Sequence, residues 1–117
     1  MALMTGRTLA AWQQCIGQSI DTAFSVLKTH IDALPAQDNA WIAIASEEQL
    51  RIQLDALAVR VKEAPGTLPL FGIPFAVKDN IDVAGWPTTA GCPAFTTIAQ
   101  QDATAVANLK AAGAIVI

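Results

Sequence analysis

Lys78 closes a short apolar run, Ile73 to Val77, and is the group in this sequence best placed to move a proton. In an α/β sheet, ligands gather beyond the carboxyl ends of the parallel strands. A lysine at such an end, partly buried, loses some preference for its charged form. It can then take a proton from a hydroxyl nucleophile, directly or through a second hydroxyl. The plainer reading is a strand-end lysine that snorkels to water or pairs with Asp79, and position alone favours it.

A nucleophile for that lysine is hard to find. The three serines, Ser19, Ser25 and Ser46, fall in helical sequence, and Ser19 and Ser46 are better explained as helix caps. Cys92 follows Gly91 in a loop and could act as a thiol nucleophile. The sole histidine, His30, falls within a helix, either facing solvent or as a satisfied rim residue, and no local motif joins it to Cys92. Asp79 and Asp82 could share a cation, but one histidine and scattered acids make a poor ligand set, so no metal and no cofactor is expected. The Thr88-Thr89-Ala90-Gly91 turn could offer backbone N–H groups to a ligand, which makes Thr89 and Gly91 candidate substrate-pocket residues. A plain surface turn is the better reading on this pattern alone. Trp12, Trp41 and Trp86 lack common spacing and interleaved basic residues, so they are expected as core or interface anchors.

Two kinds of sequence must position Lys78. Before about Ala64 the chain reads helical. Thr8 caps a short helix that stops near Gly17. Ser19 opens a second, whose Ile20, Phe24, Leu27, Ile31 and Leu34 share one face, and Pro35 ends it. The stretch from Ala40 to Ile44 fits either a short strand or a buried helical turn. Ser46 and Gln49 form a capping box for a third helix, with Leu50, Leu54, Leu57 and Val61 inward and Arg51, Asp55, Arg60 and Lys62 towards water. After Ala64-Pro65-Gly66 the pattern changes. Ile73 to Val77 reads as a strand buried on both faces, with Pro74 tolerated at its start. Ile81 to Trp86 reads as a second short extended piece. Gly85, Pro87, Gly91 and Pro93 demand a loop. Asp102 is expected to cap a helix over Ala103 to Ala112, with Val106 and Leu109 inward and Gly113 as its stop. Ala114 to Ile117 reads as a last buried strand. The expected class is α/β, with residues 1–63 helical and residues 64–117 starting a sheet core.

Composition narrows the function classes. The chain has 117 residues, 53% hydrophobic and 15% charged, with net charge −3. This is apolar for so small a domain, which implies burial against further protein. No Lys/Arg run offers a nucleic-acid surface. No apolar run approaches the roughly 20 residues of a bilayer span. Met1 fits a natural start, and Met1 to Ile16 lacks the unbroken apolar stretch of a secretory signal. Two cysteines are too few for a disulfide framework, so a reducing, cytoplasmic setting is expected. The sequence stops inside its last predicted strand, where a buried carboxylate is costly, which suggests truncation.

The run from Gly72 to Asn80, G-I-P-F-A-V-K-D-N, resembles the amidase-signature family. The likeness continues through Ile81 to Gly85, Thr88 to Gly91, Asp102 to Val106 and Leu109 to Ile117. It covers residues 68 to 117 well and is specific. Within the family, the string from Leu68 to Phe95, with Asn39 to Ile42 before it, is most similar to the allophanate hydrolase group. The A subunit of glutamyl-tRNA amidotransferase is the second choice, and a non-enzymatic truncated product the third. The resemblance implies an α/β/α sandwich of which this is the N-terminal piece. It also implies a Ser–cis-Ser–Lys triad in which Lys78 is the lysine. Both serines and the oxyanion-hole loop have no counterpart here, so the isolated chain is expected to be inactive. The implied substrate is a small linear amide, most specifically allophanate, cleaved to ammonia and carbon dioxide in urea degradation. A functional link to a urea carboxylase and a homodimeric parent are further expectations.

Overall fold

A computed structural model describes residues 8–34 and 38–117. Three helices come first: α1 (Leu9–Ile16), α2 (Ile20–Ala33) and α3 (Glu47–Glu63). Each starts where a side-chain oxygen meets the free N–H groups of the first turn. Thr8 accepts from Ala11, Ser19 from Thr22 and Ser46 from Gln49. Gln49 reciprocates to the Ser46 N–H at 2.8 Å, completing the expected capping box. Pro35, expected to end α2, lies outside the described residues, as does the chain before Thr8. Residues Asp38–Ala40 form a 3₁₀ turn, and the chain then runs without regular secondary structure, through a bend at Ile42, to Ser46. The stretch from Ala40 to Ile44 is thus neither a strand nor a continuous helical turn.

The sheet follows. Strand β1 (Pro74–Phe75) pairs in parallel with β4 (Ile115–Val116). The Ile115 N–H donates to the Ile73 carbonyl at 2.8 Å and the Ile117 N–H to the Phe75 carbonyl at 3.1 Å. The ladder thus uses the residues either side of Pro74, whose missing N–H is not called on. A second ladder joins β2 (Pro87–Thr88) to β3 (Thr97–Ile98) in antiparallel fashion. Sequence had assigned this region to loop and put the extended piece at Ile81 to Trp86. Ile81 to Trp86 is instead a chain of turns, closed by Ile81 N–H to Lys78 carbonyl and Trp86 N–H to Val83 carbonyl, both 2.9 Å. Helix α4 (Thr104–Ala111) returns the chain to β4.

Period-two alternation in β4 shows the layering. Ile115 and Ile117 join the helical core of Ile16, Leu27, Leu50 and Leu54. Val116, between them, packs with Val83 and Val106 of the opposite layer, flanked by Phe75, Val77 and Trp86. The sheet is therefore covered on both sides, the α/β/α order that the family resemblance implies.

Three long-range hydrogen-bond sets tie the layers together, and two of them correct the sequence reading. The Gln53 amide of α3 donates to the Val116 carbonyl and accepts from the Val116 N–H, both at 2.9 Å. Arg60, expected to face water, is half-buried and donates to the carbonyls of Lys110 and Ala111, at the C-terminal end of α4. A cation there meets unpaired carbonyls and the negative end of the helix dipole. Asp102 does not cap α4: the helix starts after Ala103, with no side-chain cap. Its carboxylate instead accepts from the Ala84 N–H at 2.8 Å and the Lys110 ammonium at 2.9 Å. Both partners meet the same carboxylate oxygen, and neither belongs to the first turn of the helix.

Candidate active site

Lys78 emerges at the carboxyl end of β1, on the rim of a cavity of about 710 Å³. The wall combines the unpaired Trp41–Ala43 segment, the Ala76–Ile81 stretch, Trp86, Ala90, Gly91 and the end of β4. Two of the three tryptophans, Trp41 and Trp86, thus serve both core and cavity, while Trp12 packs against the helical layer.

Lys78 is exposed, not partly buried as its strand pattern suggested. The reason is local. Among the described residues β1 has a single strand neighbour, β4, and the run expected to be buried on both faces is half-buried at Pro74 and Phe75 and exposed at Ala76. Among the described residues the Lys78 ammonium makes no hydrogen bond or ion pair; the three ion pairs there involve Lys28, Arg51 and Lys110.

Asp79 is not the partner of Lys78. Its carboxylate accepts from the Thr89 hydroxyl, from the Thr89 N–H at 3.3 Å and from the Gly91 N–H at 3.2 Å. Its backbone carbonyl accepts from the Ala90 N–H at 3.1 Å. These bonds, the Thr89 hydroxyl first among them, hold the Asp79 carboxyl below its ordinary value despite the opposing effect of burial. The loop reaches its anion through a left-handed turn, with φ of 51° at Ala90 and 74° at Gly91. Successive N–H groups in such a turn form a concave anion receptor, here filled by Asp79. The backbone donors expected for a ligand are therefore spent inside the protein. Gly91 still lines the cavity beside Lys78, whereas Thr89 stands behind the wall as the link to Asp79.

A parallel link sits next to it: Thr88 donates its hydroxyl proton to Asp82 at 2.7 Å. Both acids weighed as cation ligands are thus taken by threonine hydroxyls. Among the described residues, no group of three or more His, Cys, Asp or Glu side chains converges.

The nucleophile candidates lie elsewhere. Ser19 and Ser46 cap helices, the exposed Ser25 gives its carbonyl to the Thr29 hydroxyl, and no serine lines the cavity. His30 packs edge-on to Trp12 at 5.1 Å, and burial pushes its pKa down. It makes no bond to Cys92, a free thiol ahead of the Pro93–Phe95 turn.

Comparison with known proteins decides the family. A family model described as Amidase matches residues 25–117. The chain belongs to the amidase family. It is 51% identical over 80 residues to the urea amidolyase of Saccharomyces cerevisiae, which is 68% of this chain and 4% of that protein. The crystal structure of Kluyveromyces lactis urea amidolyase superimposes with TM-score 0.83 at 33% identity, over 96% of this chain and 7% of the other. A Kluyveromyces lactis allophanate hydrolase gives TM-score 0.80 at 34% identity, over 100% of this chain and 19% of the other. The amidase fold is therefore shown, and the chain spans a small part of each relative's length. No helix among the described residues is long and apolar enough to cross a membrane.

Proposed function

We propose that this chain is the lysine-bearing N-terminal portion of an amidase domain that hydrolyses a small linear amide, allophanate in the first instance. The observation that carries the reading is Lys78: an amine with no hydrogen-bond or ion-pair partner among the described residues, at the carboxyl end of a parallel strand and lining a cavity. The likeness to urea amidolyases and an allophanate hydrolase supports the substrate class, and does not favour the glutamyl-tRNA amidotransferase alternative.

In this reading Lys78 serves as the base. It draws a proton from a nucleophilic serine through a bridging serine; the serine attacks the amide carbonyl, the C–N bond breaks as the amine leaves with that proton, and water then hydrolyses the acyl-serine. Both serines are supplied by sequence beyond these 117 residues, consistent with the chain matching 19% of the allophanate hydrolase and with the cavity holding no serine. In this reading cleavage of allophanate with water yields ammonia and carbon dioxide, and the enzyme acts after a urea carboxylase, in the cytoplasm.

The test is Lys78→Ala in the longer protein that carries this sequence. Ammonia release from allophanate should fall to background with the fold retained. Turnover at the parent rate would refute the role of Lys78.

A further inference from the structure

We propose that Asp79 is a positioning residue: its carboxylate, gripped by Thr89 and Gly91, sets Lys78 against the cavity wall and keeps its nearest anion from pairing with it. The inference rests on Lys78 being the base.

The geometry works through both halves of Asp79. The carboxylate accepts from the Thr89 hydroxyl, the Thr89 N–H and the Gly91 N–H. The main-chain carbonyl accepts from the Ala90 N–H at 3.1 Å. One residue thus bonds to three successive residues of a loop, two of which, Ala90 and Gly91, form the wall facing Lys78. Lys78 is joined covalently to Asp79, and its own carbonyl closes the turn to Ile81 at 2.9 Å. Its main chain is therefore held at its own carbonyl and at the residue that follows, while its side chain lines the cavity.

Charge gives the second half of the argument. A carboxylate beside a flexible ammonium normally draws it into an ion pair. Here the Asp79 oxygens already hold three donors, two of them backbone groups fixed by the turn. Swinging Asp79 towards Lys78 would break those bonds and leave the N–H groups of Thr89 and Gly91 without acceptors.

Two substitutions separate positioning from general support. Asp79→Asn removes the charge and replaces one acceptor oxygen with an N–H₂ group, so a single oxygen is left for the three donors that two oxygens now hold. Thr89→Val keeps the shape and removes the hydroxyl, and Thr89→Ser returns it. In the longer enzyme, Asp79→Asn and Thr89→Val should lower kcat on the order of 100-fold with KM little changed, as expected for a reacting group displaced by about 1 Å. Thr89→Ser should keep kcat near the parent value. In the same longer enzyme, the Thr89 and Gly91 amide resonances should titrate together on the acid side, and Asp79→Asn should abolish that titration. If Lys78→Ala retains turnover, the function and this inference both fall. If Lys78→Ala is inactive while Asp79→Asn and Thr89→Val keep the parent kcat, or if the two amides fail to titrate together, this inference alone falls.

Discussion

Replacing Gln53 should loosen the sheet that presents Lys78, because its amide stands where a neighbouring strand would stand. It pairs with both backbone groups of Val116, a residue only 2% exposed. Gln53→Ala leaves that N–H and carbonyl without partners. An orphaned buried polar group costs roughly 1–3 kcal/mol, so the pair should cost about 2–4 kcal/mol, allowing for some water entry. That is a large share of the ~5–15 kcal/mol that holds a domain folded. Gln53→Glu sharpens the test. A carboxylate can still accept from the Val116 N–H, but has no proton for the Val116 carbonyl. The protonated acid has one. Folding therefore favours the protonated form and raises the new carboxyl's pKa above its ordinary ~4.3. The sign follows. Below the unfolded value the variant should approach wild type, and this advantage is lost as pH rises through the folded value. Urea titrations followed by tryptophan fluorescence, with both proteins measured at each pH, cancel the other titrating groups. An alanine variant within about 0.5 kcal/mol of wild type, the ordinary range of a surface change, would refute the reasoning. So would a glutamate variant whose deficit does not change with pH.

Other perturbations reach the same scaffold. Gly113 has φ 98°, and a Cβ there would lie 3.2 Å from the Phe71 Cα and N and 3.1 Å from the Leu68 Cβ. Gly113→Ala should therefore cost more than the roughly 1–3 kcal/mol of backbone strain alone, and more than Gly17→Ala, which meets nothing within 4 Å; equal losses in urea would sink the close-approach argument. For Asp102, burial pushes the carboxyl up, but the Lys110 and Ala84 bonds outweigh it and the net shift is downward. A depressed acid contributes stability above its unfolded value of about 3.9, and that contribution is lost as pH falls through the folded value. Wild type should lead Asp102→Asn near neutrality and lose that lead towards about pH 2; a gap of constant size would contradict the assignment.

The parts of this fold that were legible in sequence are those whose causes are local. Helix α3 could be placed because Ser46 and Gln49 cap each other three residues apart and Leu50, Leu54 and Leu57 repeat on one face. β4 could be placed because four apolar residues follow a glycine. The misses are long-range. Asp102 looks like a helix cap until Ala84, 18 residues earlier, is brought to it. Arg60 looks like a surface residue until the end of α4 arrives beneath it. The β2–β3 ladder is two residues deep, too short to show a period. At the candidate site, the motif singled out Lys78, but its exposure depends on what lies beside β1. The partners of Asp79 were harder to see, because Thr89 is ten residues away and the Lys78–Asp79 adjacency invites the wrong pairing. A hint was present: two acids three apart, then two adjacent threonines, which a tight loop can match in reverse order as Asp79–Thr89 and Asp82–Thr88.

Under the proposed function, that reversal bears on how Lys78 is kept available as a base next to an acid. A lysine at a strand end needs a fixed main chain and a free side chain, and these needs conflict if one neighbouring carboxylate supplies both. An ion pair would fix Lys78 by its ammonium, the part that must move a proton. Here the carboxylate holds the main chain instead, through a loop whose donors it saturates. The left-handed turn at Ala90 and Gly91 is what makes saturation possible, since an extended loop would aim successive N–H groups to opposite sides. The glycine in T-T-A-G is thus tied to the behaviour of Lys78, thirteen residues earlier, through the charge state and grip of Asp79.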